Sequence, residues 1–133
     1  MRKLVVDDEY GSRVLLNQYL RGQGEIDIAV NGIEAVEAFK LAWKDNEPYD
    51  IIWLDILMPE NDGYFVMQEI RSYEKRIGIK ELDEVKFIIT SCLDDPRSVL
   101  KAYKHAGTCE YLIKPLTREN VLKVLNKVKG NGQ

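Results

Sequence analysis

Tyr49-Asp50-Ile51-Ile52-Trp53-Leu54-Asp55-Ile56-Leu57-Met58-Pro59-Glu60-Asn61-Asp62-Gly63 is the stretch on which the fold turns. Ile51 to Leu54 is an uninterrupted apolar run, short for a helix, and reads as a strand buried on both faces. A carboxylate, Asp55, stands where that run ends. Met58-Pro59 then breaks the pattern, and Asp62-Gly63 is turn chemistry that also offers an N-cap to a following helix. In an open α/β sheet, ligands and chemistry gather outside the carboxyl ends of the strands. An acid at that point is a candidate site residue. Taken alone it reads more simply as a loop cap, so its partners decide.

Working outward, the same signals recur on both sides. Lys3-Leu4-Val5-Val6 is an apolar run that ends in Asp7-Asp8-Glu9. Helical spacing begins at Ser12, with Leu16 and Leu20 on one face, and Gly22 and Gly24 stop it. A weaker strand, Ile26 to Val30, closes on the turn pair Asn31-Gly32. Ala35, Val36, Phe39, Ala42 and Trp43 follow the i, i+3, i+4, i+7 spacing of a buried helix face, and Pro48 closes the link to the central strand. Beyond Asp55, Val66, Met67 and Ile70 form the inner face of a third helix. Its polar continuation runs from Arg71 to Arg76, and Gly78 opens a longer connection. Val85 to Ile89 is a fourth strand ending in Thr90-Ser91. Asp94-Asp95-Pro96 caps a fourth helix with the stripe Val99, Ala102, Tyr103 and Ala106, stopped at Gly107. Tyr111-Leu112-Ile113 is a fifth strand ending in Lys114-Pro115. The last helix starts near Thr117 and buries Val121, Val124, Leu125 and Val128. Strands alternating with helices predict an α/β fold, a doubly wound parallel sheet with helices on both faces. Residues 1–129 are expected to form one domain, with 130–133 a short frayed tail.

Composition narrows the function classes. A chain of 133 residues can bury a proper core, and its 45% hydrophobic and 31% charged content is ordinary for a globular domain. The net charge of −3 gives no reason to expect direct nucleic-acid binding. Lys123, Lys127 and Lys129 read as a solvated face complementing a helix C-terminus. Cys92 and Cys109 lack metal-ligand spacing and are too few for a disulfide framework, which fits a reduced, cytoplasmic setting. No stretch approaches a membrane span, and the N-terminus enters a strand without a signal-peptide pattern. His105 reads as a surface or helix-end residue.

The strand ends carry the functional signal once they are read together. Strand one ends in Asp7, Asp8 and Glu9, strand three in Asp55, strand four in Thr90 and Ser91, and strand five in Lys114. If these four strands are neighbours, acids, a hydroxyl and an ammonium converge. Clustered carboxylates repel, and at least one pKa rises unless a cation sits among them. An oxygen-ligated Mg²⁺ would remove that repulsion, and Lys114 supplies a second positive charge. A carboxylate, a Mg²⁺, a Lys and a hydroxyl are the parts needed to move a phosphoryl group onto an aspartate. In that chemistry the carboxylate attacks phosphorus in line, while the cations and Thr90 meet the equatorial oxygens.

On these residues the chain resembles a two-component response-regulator receiver domain, CheY-like, over essentially its whole length. The matching pieces are Asp7-Asp8, Asp55 within Leu54-Asp55-Ile56-Leu57-Met58-Pro59 followed by Asp62-Gly63, then Thr90, then Lys114-Pro115. The resemblance implies a flavodoxin-like (βα)5 three-layer sandwich with strand order 2-1-3-4-5. It implies Asp55 as phosphoacceptor, and Asp7, Asp8, Asp55 and the main-chain carbonyl of Leu57 as ligands of Mg²⁺ or Mn²⁺. Thr90 and Lys114 would clamp the phosphoryl group, and Tyr111 matches the aromatic switch position beside Thr90. Upstream it implies a sensor histidine kinase or histidine phosphotransfer protein. Downstream it implies a protein target or a homodimer on the α4–β5–α5 face, here Asp95 to Ala106, Cys109 to Ile113 and Thr117 to Lys129. Leu100 and Leu122 lie off the core stripes and are expected to be exposed there. Leu57 and Cys92, two residues after Asp55 and Thr90, cannot position a hydrolytic water as an amide or carboxylate does, which implies a long-lived phosphoryl group. A receiver of this kind is a signalling domain, not an enzyme with an outside substrate, and no membrane partner is expected.

Other readings account for parts of the pattern. An aspartyl-phosphate phosphohydrolase of the dehalogenase-like type also sets its Asp at a strand end, but needs a second acid where Leu57 stands. A flavodoxin-like electron carrier would need a hydroxyl- and Gly-rich phosphate loop in place of Asp7-Asp8-Glu9. A non-phosphorylated pseudo-receiver would keep the fold as a binding module, and the intact Asp55, Thr90 and Lys114 speak against it. The chain stops one helix beyond Lys114-Pro115, as expected of a stand-alone receiver or of a piece of a larger regulator or hybrid kinase.

Overall fold

The computed structural model describes residues 1–58, 63–92, 97, 100–102, 104 and 109–131. Their backbone builds a five-stranded parallel sheet in the order β2-β1-β3-β4-β5. The strands are β1 (Lys3–Val6), β2 (Ile26–Ala29), β3 (Ile51–Asp55), β4 (Lys86–Ser91) and β5 (Cys109–Ile113). The helices are α1 (Tyr10–Tyr19), α2 (Gly32–Lys44), α3 (Gly63–Arg76) and α5 (Arg118–Asn131). A further helix, α4, is described at Arg97, Leu100, Lys101, Ala102 and Lys104. This is the doubly wound flavodoxin-like sandwich expected from the alternation and the resemblance.

Burial explains why the two central strands read as unbroken apolar runs. Successive side chains on a strand face opposite ways, so a sheet covered on both sides needs apolar residues at every position. Leu4, Val6, Ile52, Leu54, Phe87 and Ile89 pack with Phe39, Val66, Met67 and Ile70 from α2 and α3. Val5, Ile51, Trp53 and Ile88 pack on the other side with Leu16 of α1, Leu20 at its C-cap, and Val121 and Leu125 of α5. The edge strand β2 is the weak one, and the acid in its middle is anchored: Asp27 accepts from Arg2 at 2.7 Å and from the Tyr49 hydroxyl at 2.6 Å. Among the described residues, no helix is long and apolar enough to cross a membrane.

The chain runs outward from β1 to β2, then returns to the other side of β1 to begin β3. At that reversal the two crossovers leave on opposite faces, and a crevice opens above the carboxyl ends of β1 and β3. Asp7 and Asp55 are the residues at that crevice.

Several local expectations need adjusting. Asn31 is a helix N-cap rather than a free turn residue. Its side chain accepts from the Glu34 N–H at 2.8 Å, while the Glu34 carboxylate accepts from the Val30 N–H at 3.3 Å. The first helix starts at Tyr10, before Ser12, whose buried hydroxyl donates to Glu9 at 3.0 Å. Glu74, inside the polar continuation of α3, is fully buried. It accepts from Arg71 and from the Val85 N–H, both at 2.7 Å, and so fastens α3 to the entry of β4. Its spacing from Met67 and Ile70 puts it on the inner face, a signal the composition of the segment hides. The last helix begins after Thr117, whose hydroxyl accepts from the Asn120 N–H at 3.1 Å, and it continues to Asn131, past the expected boundary at 129. Leu122, expected to be exposed, is half-buried against the core on the α1–α5 side. Leu100 is exposed. The Asp94-Asp95-Pro96 cap, Val99, Tyr103, His105, Ala106 and Gly107, and the loop from Pro59 to Asp62, lie outside the described residues.

Gly63, the first residue of α3, is required by contact. A Cβ there would stand 2.7 Å from the Ile56 Cα and 3.0 Å from the Asp55 carbonyl oxygen, and its N–H donates to the Ile56 carbonyl at 3.2 Å. Neither backbone atom can yield without moving the end of β3. Gly63→Ala is therefore expected to cost about 1–3 kcal/mol of stability, in the range of core overpacking. Urea unfolding measures it, and an unchanged midpoint would contradict this account of the close approach.

Candidate functional site

The site is assembled by strand register. β3 and β4 pair so that Asp55 lies beside Thr90, and β4 and β5 pair so that Ser91 lies beside Ile113, the residue before Lys114. Backbone bonds extend this pairing past the strand ends. The Ile56 N–H donates to the Thr90 carbonyl at 3.2 Å, and the Lys114 N–H to the Ser91 carbonyl at 2.7 Å. The Asp7 N–H likewise donates to the Ala29 carbonyl at 3.2 Å. Asp7, Asp55, Thr90 and Lys114 are thus carried on backbone that the sheet holds.

Asp7 and Asp55 are buried, Asp8 is exposed, and one carboxylate oxygen of each lies within 4.8 Å of the others. The Lys114 ammonium reaches Asp7 at 3.0 Å and Asp55 at 3.4 Å, bridging the first and third strands from the end of the fifth. The remaining oxygens are also engaged: the Leu57 N–H donates to Asp55 at 2.9 Å, and the Glu9 N–H to Asp7 at 2.9 Å. Thr90 and Ser91 are buried beside them. The sequence-predicted Asp7, Asp8, Asp55, Thr90 and Lys114 therefore meet at one place. Leu57 lies next to them with its side chain half exposed, and Cys92 is exposed. Tyr111 is opposite Ile89 in the sheet and half-buried against the α2–α3 core.

One residue at the site makes a contact that strand-end reading does not reveal. Arg13, on α1, donates to the Asp7 carbonyl at 3.0 Å. Nothing in its spacing marks it, since a helical Arg with an i, i+3 aromatic neighbour is common on any surface.

Three carboxylates against one ammonium leave the cluster with excess negative charge. Burial pushes the Asp55 carboxyl up to about 6, with the Asp7 charge adding to the rise and Lys114 opposing it. Burial alone would lower the Lys114 pKa, but Asp55 and Asp7 outweigh it, and the ammonium is held above its ordinary value. The donor set is all oxygen, and the exposed Asp8 leaves one side open to water. That combination suits a hard divalent cation that keeps part of its hydration shell, and Mg²⁺ or Mn²⁺ fits it. A cleft of about 320 Å³ lies beside the site, lined by Glu9, Ser12, Leu15, Cys92, Lys114, Pro115 and Leu116. A larger one of about 700 Å³ opens at the opposite pole, beside Trp43, Pro48 and Lys80, away from the acids.

Comparison with known proteins bears directly on this arrangement. The family model described as response regulator receiver domain matches residues 4–126. The hybrid signal transduction histidine kinase L of Dictyostelium discoideum is 32% identical over 130 residues, 97% of this chain but 7% of the kinase. The chemotaxis protein CheY of Thermotoga maritima is 33% identical over 129 residues, 96% of each chain. Among solved structures, the CheX–CheY–BeF3–Mg complex from Borrelia burgdorferi superimposes with a TM-score of 0.82 at 28% identity. The match covers 97% of this chain and 89% of that one.

The electrostatics generate a test. Because the Asp55 pKa lies above its ordinary value in the folded protein, this group favours folding at low pH, and its contribution is lost as pH rises through about 6. With chelator present at neutral pH, Asp55→Asn is expected to stabilise the protein by on the order of 2 kcal/mol, because the amide keeps an acceptor for the Leu57 N–H while shedding the charge. The gain should vanish below about pH 4. Thermal melts of both proteins across that pH range check it, and a destabilised variant at neutral pH would overturn it.

Proposed function

The chain belongs to the response regulator receiver domain family, and from that premise we propose that Asp55 is its phosphoacceptor in a two-component phosphorelay. The observation that carries this reading is the Lys114 ammonium standing 3.0 Å from Asp7 and 3.4 Å from Asp55, with the Asp8 carboxylate close by. A nucleophilic carboxylate is useful here only if its neighbours accept the negative charge that a phosphoryl group brings.

Asp7, Asp8, Asp55 and the Leu57 carbonyl would hold Mg²⁺ or Mn²⁺. When bound, the ion supplies charge neutralisation for the acids and for the incoming phosphoryl oxygens. An Asp55 oxygen forms the new bond to phosphorus as the P–N bond of a phosphohistidine breaks, and the donor imidazole leaves with the bonding pair. Lys114 turns from the carboxylates to the phosphoryl oxygens, and the Thr90 hydroxyl donates to another. That movement vacates space behind Thr90 for the Tyr111 ring, and the α4–β5–α5 face changes with it. The donor is a sensor histidine kinase or a histidine phosphotransfer protein in the cytoplasm. The output is a protein target or a second copy on that face, where Leu100 is exposed. The CheY of Borrelia burgdorferi forms a complex with a second protein, CheX, in the presence of BeF3 and Mg. The domain's catalysis is confined to its own phosphorylation and dephosphorylation.

Intact mass after incubation with Mg²⁺ and acetyl phosphate tests the assignment. One added phosphoryl group is expected on the wild type, absent from Asp55→Asn and abolished by chelator. Equal labelling of the mutant would remove Asp55 from the role. Because Leu57 and Cys92 are exposed and cannot orient water, the phosphoryl group is expected to persist, and Leu57→Asn to shorten its lifetime about tenfold, because the amide can hydrogen-bond and position an attacking water. Following the decay by mass checks this, and an equal lifetime in the variant would contradict it.

A further inference from the structure

The exposed acid of the cluster, Asp8, is the one whose position the sheet does not secure. Asp7 is fixed through its side chain by Lys114 at 3.0 Å and the Glu9 N–H at 2.9 Å, and through its own N–H by Ala29 at 3.2 Å. Asp55 ends β3 and is tied by Leu57 and Lys114. Asp8 lies two residues past the end of β1 and two before the start of α1, where the backbone has no ladder partner. Its side chain leaves from a Cα joined to Asp7 by a single peptide unit. That unit is planar, so the direction of the Asp7 carbonyl sets where the Asp8 nitrogen and Cα stand.

The Asp7 carbonyl is the group Arg13 holds, its guanidinium donating at 3.0 Å. Arg13 is half-buried, and its guanidinium lies 5.8 Å from the centre of the Tyr10 ring. Its own N–H donates to the Glu9 carbonyl at 3.2 Å, and the Glu9 carboxylate accepts from Ser12 at 3.0 Å. The first turn of α1 thus grips the acidic loop at Asp7 and Glu9, on either side of Asp8.

We infer that Arg13 is a positioning residue for the metal-binding loop: by holding the Asp7 carbonyl from α1, it sets the Asp7–Asp8 peptide so that the Asp8 carboxylate converges with Asp7 and Asp55. This rests on the reading that these acids hold a divalent cation. It also makes a prediction opposite in sign to electrostatics. Arg13 is a cation near a cation site, and removing its charge should strengthen Mg²⁺ binding if charge were its only influence. Loss of the carbonyl's partner should weaken binding, by about tenfold for a residue that orients a ligand from behind.

Calorimetric titration of the metal-free protein with MgCl₂ separates the two, comparing wild type with Arg13→Met. Weaker Mg²⁺ binding, an unchanged melting temperature in chelator, and acetyl phosphate labelling restored at saturating Mg²⁺ are the expected results. Equal or tighter Mg²⁺ binding would overturn the inference. If Arg13→Met melts early, Arg13→Lys makes the same comparison. It keeps the charge but shortens the reach, so charge alone predicts no change and positioning predicts a loss of about threefold to tenfold. A wild type that binds no Mg²⁺ would instead sink the underlying metal reading, which keeps the two failures apart.

Discussion

Three carboxylates gathered around one ammonium at the end of a buried sheet define what the rest of this molecule must accomplish. Asp7 and Asp55 sit out of water, where like charges repel strongly and each loses hydration. Lys114 offsets part of this by reaching both acids from β5, but burial and the Asp7 charge still push the Asp55 carboxyl above its ordinary value. A site in that condition is poised to take up positive charge. Added negative charge would disturb it equally, because one ammonium cannot serve these acids and a further anion equally well.

Holding such a cluster together needs a scaffold that does not yield to its repulsion. The hydrophobic layers on the two faces of β1 and β3 provide it, with Trp53, Leu54 and Val5 fully or almost fully buried directly beneath the acids. The parallel ladder then passes rigidity to the strand ends, where the Ile56–Thr90 and Lys114–Ser91 backbone bonds continue it. Gly63 shows how tightly the next element closes on this end, with α3 starting against the backbone of Ile56. Outside the sheet the grip passes to side chains. Arg13, Ser12 and Glu9 fasten the β1–α1 loop, and Arg71 and Glu74 fasten α3 to β4.

Much of this was legible in the residues. The five strands and the helices between them follow from runs of β-branched and apolar residues set against helical spacing, and the central strands stand out because both their faces are covered. Asp7, Asp8, Asp55, Thr90 and Lys114 all stand at strand ends, the place where α/β sheets carry their ligands. Two departures share a cause, the approach of other segments, and a third is local. Glu74 sits in the polar continuation of α3, and a charged residue is buried only when specific partners await it: Arg71 one turn back on the same helix, and the Val85 N–H brought there by packing. Leu122 looked exposed because it lies off the stripe of its own helix, yet neighbouring elements reach around to cover it. Asn31-Gly32 looked like a turn because the same residues serve turns and N-caps.

Periodicity and strand-end chemistry are properties of short segments, so the sequence by itself determined the alternation of elements, the two-sided cover of β1 and β3, and which side chains stand at the strand ends. Distances between segments are not local properties. That Lys114 bridges Asp7 and Asp55 rather than pairing with one of them depends on strand order and register, and so do the burial and the Asp7 charge that push the Asp55 carboxyl up. That the Asp7 carbonyl is held by Arg13 depends on how α1 leaves the sheet. Burial, charge coupling and the reach of a side chain are decided by which segments meet, and only the tertiary structure brings them together.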